Sequence, residues 1–152
     1  MLHPEKEINN QEEISAILQQ AGVCRIALSD NNRPYIVPVN FAVRHNNLYF
    51  HCSKAGRKID ILKRNAQICF EIDLGAEIVP GQSPCAWGMK YRSVIGFGRA
   101  SFITDAAGKK AALDIIMEKY AGPGNFSYKE EALSKVLVIC VAIESMTGKK
   151  SA

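Results

Sequence analysis

The stretch from Pro34 to Lys58, PYIVPVNFAVRHNNLYFHCSKAGRK, constrains the fold more than any other part of the chain. Tyr35, Val37, Val39, Phe41 and Val43 alternate with Pro34, Ile36, Pro38, Asn40 and Ala42, which is the period of a β-strand. Asn46-Asn47 offers a tight turn, because asparagine tolerates positive φ better than most residues. Leu48 to Cys52 then pairs back as a second strand and carries His51 and Cys52 to its end. Gly56-Arg57-Lys58 follows, where the chain turns into a helix. Arginine presents a planar fork of donors, lysine a point charge, and a helix start adds unpaired N–H groups. That combination suits a phosphate monoester on a ligand that also carries a flat polar ring.

The rest of the chain supplies more strands than helices. A helix is expected over residues 10–21, with Ile14, Ile17, Leu18 and Ala21 on one face, Asn10 as its cap and Glu13 placed for a reciprocal cap. Gly22 ends it, Val23 to Ser29 forms a strand, and Asp30-Asn31-Asn32 turns into the Pro34 run. A short helix is expected over about residues 57–64, then a strand over 67–73 with Ile68, Phe70 and Ile72 on one face. Leu74 to Pro84 holds two prolines and two glycines and reads as a loop. Residues 85–103 read as extended, with Gly96 and Gly98 marking a bulge, a bend or close approach of something to the backbone. Thr104-Asp105 caps a helix to about Tyr120, with Ala112, Ile115, Ile116 and Tyr120 inward. GPGN at 122–125 ends it, and residues 126–134 add a further helical turn. Val136 to Glu144 is dense enough in apolar residues for a strand buried on both faces. This order predicts a mainly β protein, an antiparallel barrel with helices packed outside.

Composition narrows the class. The 152 residues fit one domain by size, and 47% apolar with 22% charged residues is ordinary for a globular protein. The net charge of +4 is spread along the chain, with no basic stripe for nucleic acid. No apolar run is long enough to span a bilayer, and MLHPEKEINNQEEIS has no apolar h-region, so a cytoplasmic protein is expected. The cysteines, Cys24, Cys52, Cys69, Cys85 and Cys140, are odd in number and form no CxxC pair. They read as reduced thiols and not as a metal site or a disulfide framework.

Four segments in order, PYIVPVNF, YFHCSKAGRK, KRNAQICFEID and YRSVIGFGRA, resemble the pyridoxamine 5'-phosphate oxidase-like split β-barrel superfamily. Within it the chain is similar to small Nim-type, nitroimidazole-resistance-like proteins. The resemblance implies a single domain over 1–152: a six- to seven-stranded antiparallel split barrel with Greek-key character and flanking helices. It implies a homodimer with FMN at the subunit interface. The strand Ile36, Val37, Pro38, Val39, Asn40 and Phe41 would then lie along the flavin ring, with backbone groups meeting its polar edge. His51 and Cys52 match the strand end that touches the flavin, and Arg57 and Lys58 the phosphate-binding pair. Ser93 and Val94 match a later strand that reaches FMN from the partner subunit. Pyridoxamine phosphate oxidases themselves carry a C-terminal Trp and an Arg-Leu segment. This chain ends VLVICVAIESMTGKKSA, with neither, which argues against vitamin B6 oxidation.

Each candidate also has a plainer reading. Asn40, on a strand otherwise apolar on both faces, needs a partner for its amide, either a ligand edge or a neighbouring loop. Arg57 and Lys58 could be a solvated helix start, yet cations there oppose the helix dipole, and a bound anion would resolve that conflict. His51 is a candidate catalytic residue as a proton source near neutral pH, or a structural residue. Cys52 points away from it, as neighbouring strand side chains do. Trp87 and Tyr91 cover a ligand or belong to the core or a dimer contact. The expected function is reduction of a small electrophile, nitro-aromatic or quinone-like, through FMN. The alternative is a split barrel that holds flavin or haem without turnover, with His51 as an axial ligand.

Overall fold

The computed structural model describes residues 3–151 and carries one antiparallel sheet with helices outside it. The strands are β1 (Glu7–Ile8), β2 (Cys24–Asp30), β3 (Arg33–Val39), β4 (Ala42–Arg44), β5 (Asn47–Ser53), β6 (Gln67–Val79), β7 (Gly88–Ile103) and β8 (Val136–Ser151). The helices are α1 (Gln11–Gln20), α2 (Arg57–Arg64), α3 (Ala106–Ala121) and α4 (Glu130–Lys135). The strand order is β3-β2-β6-β7-β8-β5-β4, with β1 added beside β8. The sheet therefore has eight strands, where six or seven were expected; the additions are short.

The two edges of this sheet, β3 and β4, are consecutive in the chain and separated only by Asn40 and Phe41. So short a link forces the sheet to curl until its edges approach without pairing, which makes it an open, split barrel. The expected single strand through Val43 is thus two strands. Alternation carries from Tyr35 to Phe41, then breaks because Ala42 is buried next to Phe41. The turn between β4 and β5 uses His45-Asn46, at φ 48 and 62, one residue earlier than expected. Asn31 and Asn32, at φ 50 and 65, close the β2–β3 hairpin in the same way.

Phe41, Phe50, Phe70, Ile17 and Ile26 are fully buried in the barrel core. Both faces of β8 are covered only along its first residues: Ile139 and Val141 point into the barrel and Val138 packs with Ala112 and Leu113 of α3, while Ala142 and Glu144 beyond are exposed. The Gly96 expectation of close approach holds, since a Cβ there would sit 2.1 Å from the Phe70 ring. A register shift between Phe97 and Gly98 supplies the bulge.

Other boundaries moved. The expected loop from Leu74 begins only after Val79, because β6 continues past a register shift between Leu74 and Glu77, with Gly75 at φ 68. The extended run begins at Gly88, after a 3-10 turn at Pro84–Ala86. β8 runs on to Ser151 because the far end of β7 needs a partner. The further helical turn expected over 126–134 is α4, four residues later at its start. Asn10 caps α1 by accepting from the N–H groups of Glu12 and Glu13, at 2.7 and 3.3 Å. Glu13 does not return the cap, and pairs instead with Lys150 of β8 at 2.8 Å. On α3, Leu113 is buried, while Ile115 is only half-buried and Tyr120 is 43% exposed.

Candidate functional site

The start of α2 lies where β3 and the end of β5 come together. A cleft of about 240 Å³ is lined there by Tyr35 and Val37 of β3, Cys52 of β5, and Gly56, Arg57, Lys58 and Ile59 at the helix start. Alternation explains the strand contributions: Tyr35 and Val37 share a face, and Cys52 points away from His51. Gly56 holds φ 130, a conformation that side chains oppose, and has open space where a Cβ would stand. No side chain caps α2, so its first N–H groups are left for another acceptor.

The cations are held from below. The Arg57 guanidinium lies 4.5 Å from the Tyr35 ring centroid, and the Lys58 ammonium 5.7 Å from that of Phe50. Among the described residues, neither is paired with a carboxylate. Two unpaired cations, an uncapped helix start and a cleft beside them match what a phosphate requires. Burial pushes the Cys52 thiol up, with Lys58 opposing, so this cysteine is a packed wall and not an activated nucleophile.

Of the expected site residues, Val37, Cys52, Arg57 and Lys58 thus meet in one cleft. Pro38 is exposed on the outer face of β3, while Val39 and Phe41 turn their side chains into the core. Asn40 is exposed, so the buried-amide argument for it fails; its amide stands 3.5 Å from the Gly22 carbonyl. His51 is exposed and opens on a separate pocket of about 210 Å³, lined by Leu113, Ile116, Met117, Tyr128 and Leu133. Ser93 and Val94 lie on β7, outside the cleft, with Val94 fully buried. Trp87, 57% exposed, and half-buried Tyr91 do not line it either.

Tyr35 lines the cleft though the sequence does not mark it as a site residue; its alternation with Val37 is the signal that places it there. Tyr120, expected inward on α3, lies outside the cleft, and its hydroxyl accepts from the Phe41 N–H at 3.0 Å and donates to the Gly22 carbonyl at 2.8 Å.

The outer face of the sheet carries a second feature. The ladders place Ile36, Ala27, Cys69 and Phe97 in one row across β3, β2, β6 and β7. The next row holds Pro38, Arg25, Glu71 and Ile95. Ile36 is 63% exposed and Phe97 52%, and Ser93 lies on the same side, two residues from Ile95.

Comparison with known proteins agrees with this fold. The pattern of the family described as pyridoxamine 5'-phosphate oxidase matches residues 10–150. A candidate 5-nitroimidazole antibiotic resistance protein of Bacteroides thetaiotaomicron is 36% identical in its crystal structure, with a TM-score of 0.85 over 95% of this chain and 86% of that one. The flavocytochrome Anf3 of Azotobacter vinelandii shares the fold, with a TM-score of 0.88 at 22% identity over 100% of this chain and 72% of that one. The uncharacterized protein RA0666 of Rhizobium meliloti is 24% identical over 93% of each chain. This chain belongs to the pyridoxamine 5'-phosphate oxidase family, and within it is similar to the nitroimidazole-resistance type.

Proposed function

We propose that this protein binds FMN and uses it to reduce a small electrophile of the nitro-aromatic or quinone class. The observation that carries the reading is the cleft at α2, where unpaired Arg57 and Lys58 flank an uncapped helix start beside β3. The FMN phosphate fits there, and its ring would run along Val37–Phe41 toward the exposed edge of the sheet. FMN, when bound, supplies the hydride or electron transfer. The chain's own residues bind and orient it: Arg57 and Lys58 neutralise the phosphate, and Val37 and Cys52 wall the cleft from water.

The second subunit belongs to the same proposal. Exposed Ile36, Ile95 and Phe97 make an apolar stripe that a second copy would cover. Ser93 precedes Ile95 on the same face of β7, at the end of that stripe and opposite Asp73, so a second copy packed on the stripe would lie beside it, in keeping with a flavin shared between subunits. The cytoplasm suits its reduced cysteines.

A second reading, flavin or haem held without turnover, is favoured by one observation. Among the described residues the His51 side chain has no hydrogen-bond partner, and its ring opens on an apolar pocket, as an axial ligand would. The test is anaerobic reduction of the loaded protein followed by a nitro-aromatic. Bleaching by the reductant and recovery of the flavin band with stoichiometric product supports the oxidoreductase. A band that stays bleached when acceptor is added overturns it.

A further inference from the structure

The hydrogen-bonded ladder between β2 and β3 stops one rung short of where its register leads. Asp30 and Arg33 flank a two-residue turn and therefore exchange both backbone hydrogen bonds. Every second pair from there does the same, through Leu28 with Tyr35, Ile26 with Val37, and Cys24 with Val39. The next such pair would be Gly22 with Phe41. In its place stands the Tyr120 hydroxyl, accepting from the Phe41 N–H and donating to the Gly22 carbonyl. The hydroxyl is an inserted rung: it satisfies both backbone groups while holding the strands apart at the point where the chain leaves β2 for β5.

The rest of the last turn of α3 fastens the same place. The Lys119 ammonium donates to the Leu18 carbonyl at 2.8 Å and lies 3.3 Å from the Phe41 ring centroid. Glu118 pairs with Arg44 of β4. Helix α3 thus reaches the link between β3 and β4 through Lys119 and Tyr120 and β4 itself through Glu118, and only Tyr120 touches the backbone of the link.

We propose that Tyr120 is a positioning residue for the flavin-facing strand, setting the direction in which Val37–Asn40 leaves the sheet. The inference rests on the flavin site proposed above. Removing the hydroxyl lets the Phe41 N–H meet the Gly22 carbonyl directly, which draws the strand end toward β2. The backbone groups opposite the polar edge of the flavin then move, while Arg57 and Lys58 stay in place.

The test titrates FMN and riboflavin separately into wild type and Tyr120→Phe, recording the visible band and midpoint potential of the bound flavin. Both ligands are expected to weaken by a similar factor, about tenfold for the loss of a well-placed polar contact. Their affinity ratio should stay unchanged, and the band and potential should shift. A folded Tyr120→Phe protein with wild-type affinity, band and potential overturns the inference. Should that variant fail to fold, 4-fluorophenylalanine placed at 120 keeps an atom at the hydroxyl's place that cannot donate to the Gly22 carbonyl. A shifted band supports the role and an unshifted one overturns it. Wild-type uptake of flavin separates the two claims: uptake with an indifferent Tyr120 removes this inference alone, and uptake of neither flavin removes the functional reading with it.

Discussion

The Arg57 guanidinium lies 4.5 Å from the centroid of the Tyr35 ring, so the cation that opens α2 is seated on a side chain of β3. The contact ties the helix start to the strand along which the flavin ring is proposed to lie. It also fixes the direction of the guanidinium, so less side-chain freedom is lost when a phosphate arrives. A cation over an aromatic face at an exposed site contributes about 0.5–1 kcal/mol. Tyr35→Leu should accordingly weaken FMN binding by about two- to fivefold, read by titration of the apoprotein. Unchanged affinity would show that the stacking does not prepare the site.

Much of this was legible before the structure. Strict alternation from Tyr35 onward puts Tyr35 and Val37 on one face of β3, and Gly56-Arg57-Lys58 marks the helix start. The antiparallel class followed from many strands joined by Asn-rich turns. The break at Asn40-Phe41 was not legible, because alternation continues through it and only the pairing partners change. Asn40 misled for that reason: read as mid-strand it needed burial, whereas the link between two edges leaves it exposed. The extensions of β6 and β8 were hidden too, since polar residues such as Glu77 and Lys149 pair across a sheet without any apolar period.

Thiol chemistry offers a check on occupancy. Burial pushes Cys24 up to about 12 and raises Cys52 to a lesser extent, while Cys85 is exposed. An alkylating reagent near neutral pH should label Cys85 first, Cys52 slowly, and Cys24 only on unfolding. FMN should protect Cys52, which lines the cleft, and leave Cys85 unaffected. Equal labelling of Cys52 with and without FMN, followed by peptide mass analysis, would place the ligand elsewhere.

Lys119 gives the fold a distinctive pH dependence. Burial lowers its amine from the ordinary 10.5 to about 8, so the folded chain releases this proton before the unfolded chain does. Between those values the unfolded state binds more protons, and the lysine's contribution to stability rises with pH. Cys24 acts in the opposite sense above about pH 9, because its thiol is raised from 9.0 to about 12. Urea midpoints across about pH 7 to 9 should therefore move in favour of wild type over Lys119→Met as pH rises. A gap independent of pH would mean that the amine is not desolvated.

Gly96 is required by the core it faces. A Cβ there would stand 2.1 Å from the ring of Phe70, which is fully buried and must shift to admit it. Gly96→Ala should cost about 1–3 kcal/mol, the usual penalty of overpacking, seen as a lower urea midpoint at unchanged slope. Wild-type stability would show that the barrel is looser at this layer than the packing implies.

The central claim is that the cleft at α2 receives the phosphate of FMN, and it is tested most directly by comparing FMN with riboflavin. Wild type and the Arg57→Ala, Lys58→Ala double variant are titrated with each flavin and followed by the visible band. Charge-assisted hydrogen bonds contribute about 1.5–3 kcal/mol apiece. The double variant should therefore lose on the order of a hundredfold or more in FMN affinity. Its riboflavin affinity should match that of wild type, because riboflavin has no phosphate to lose. FMN binding equal to wild type in the double variant, or no preference for FMN over riboflavin in the wild type, would contradict the account.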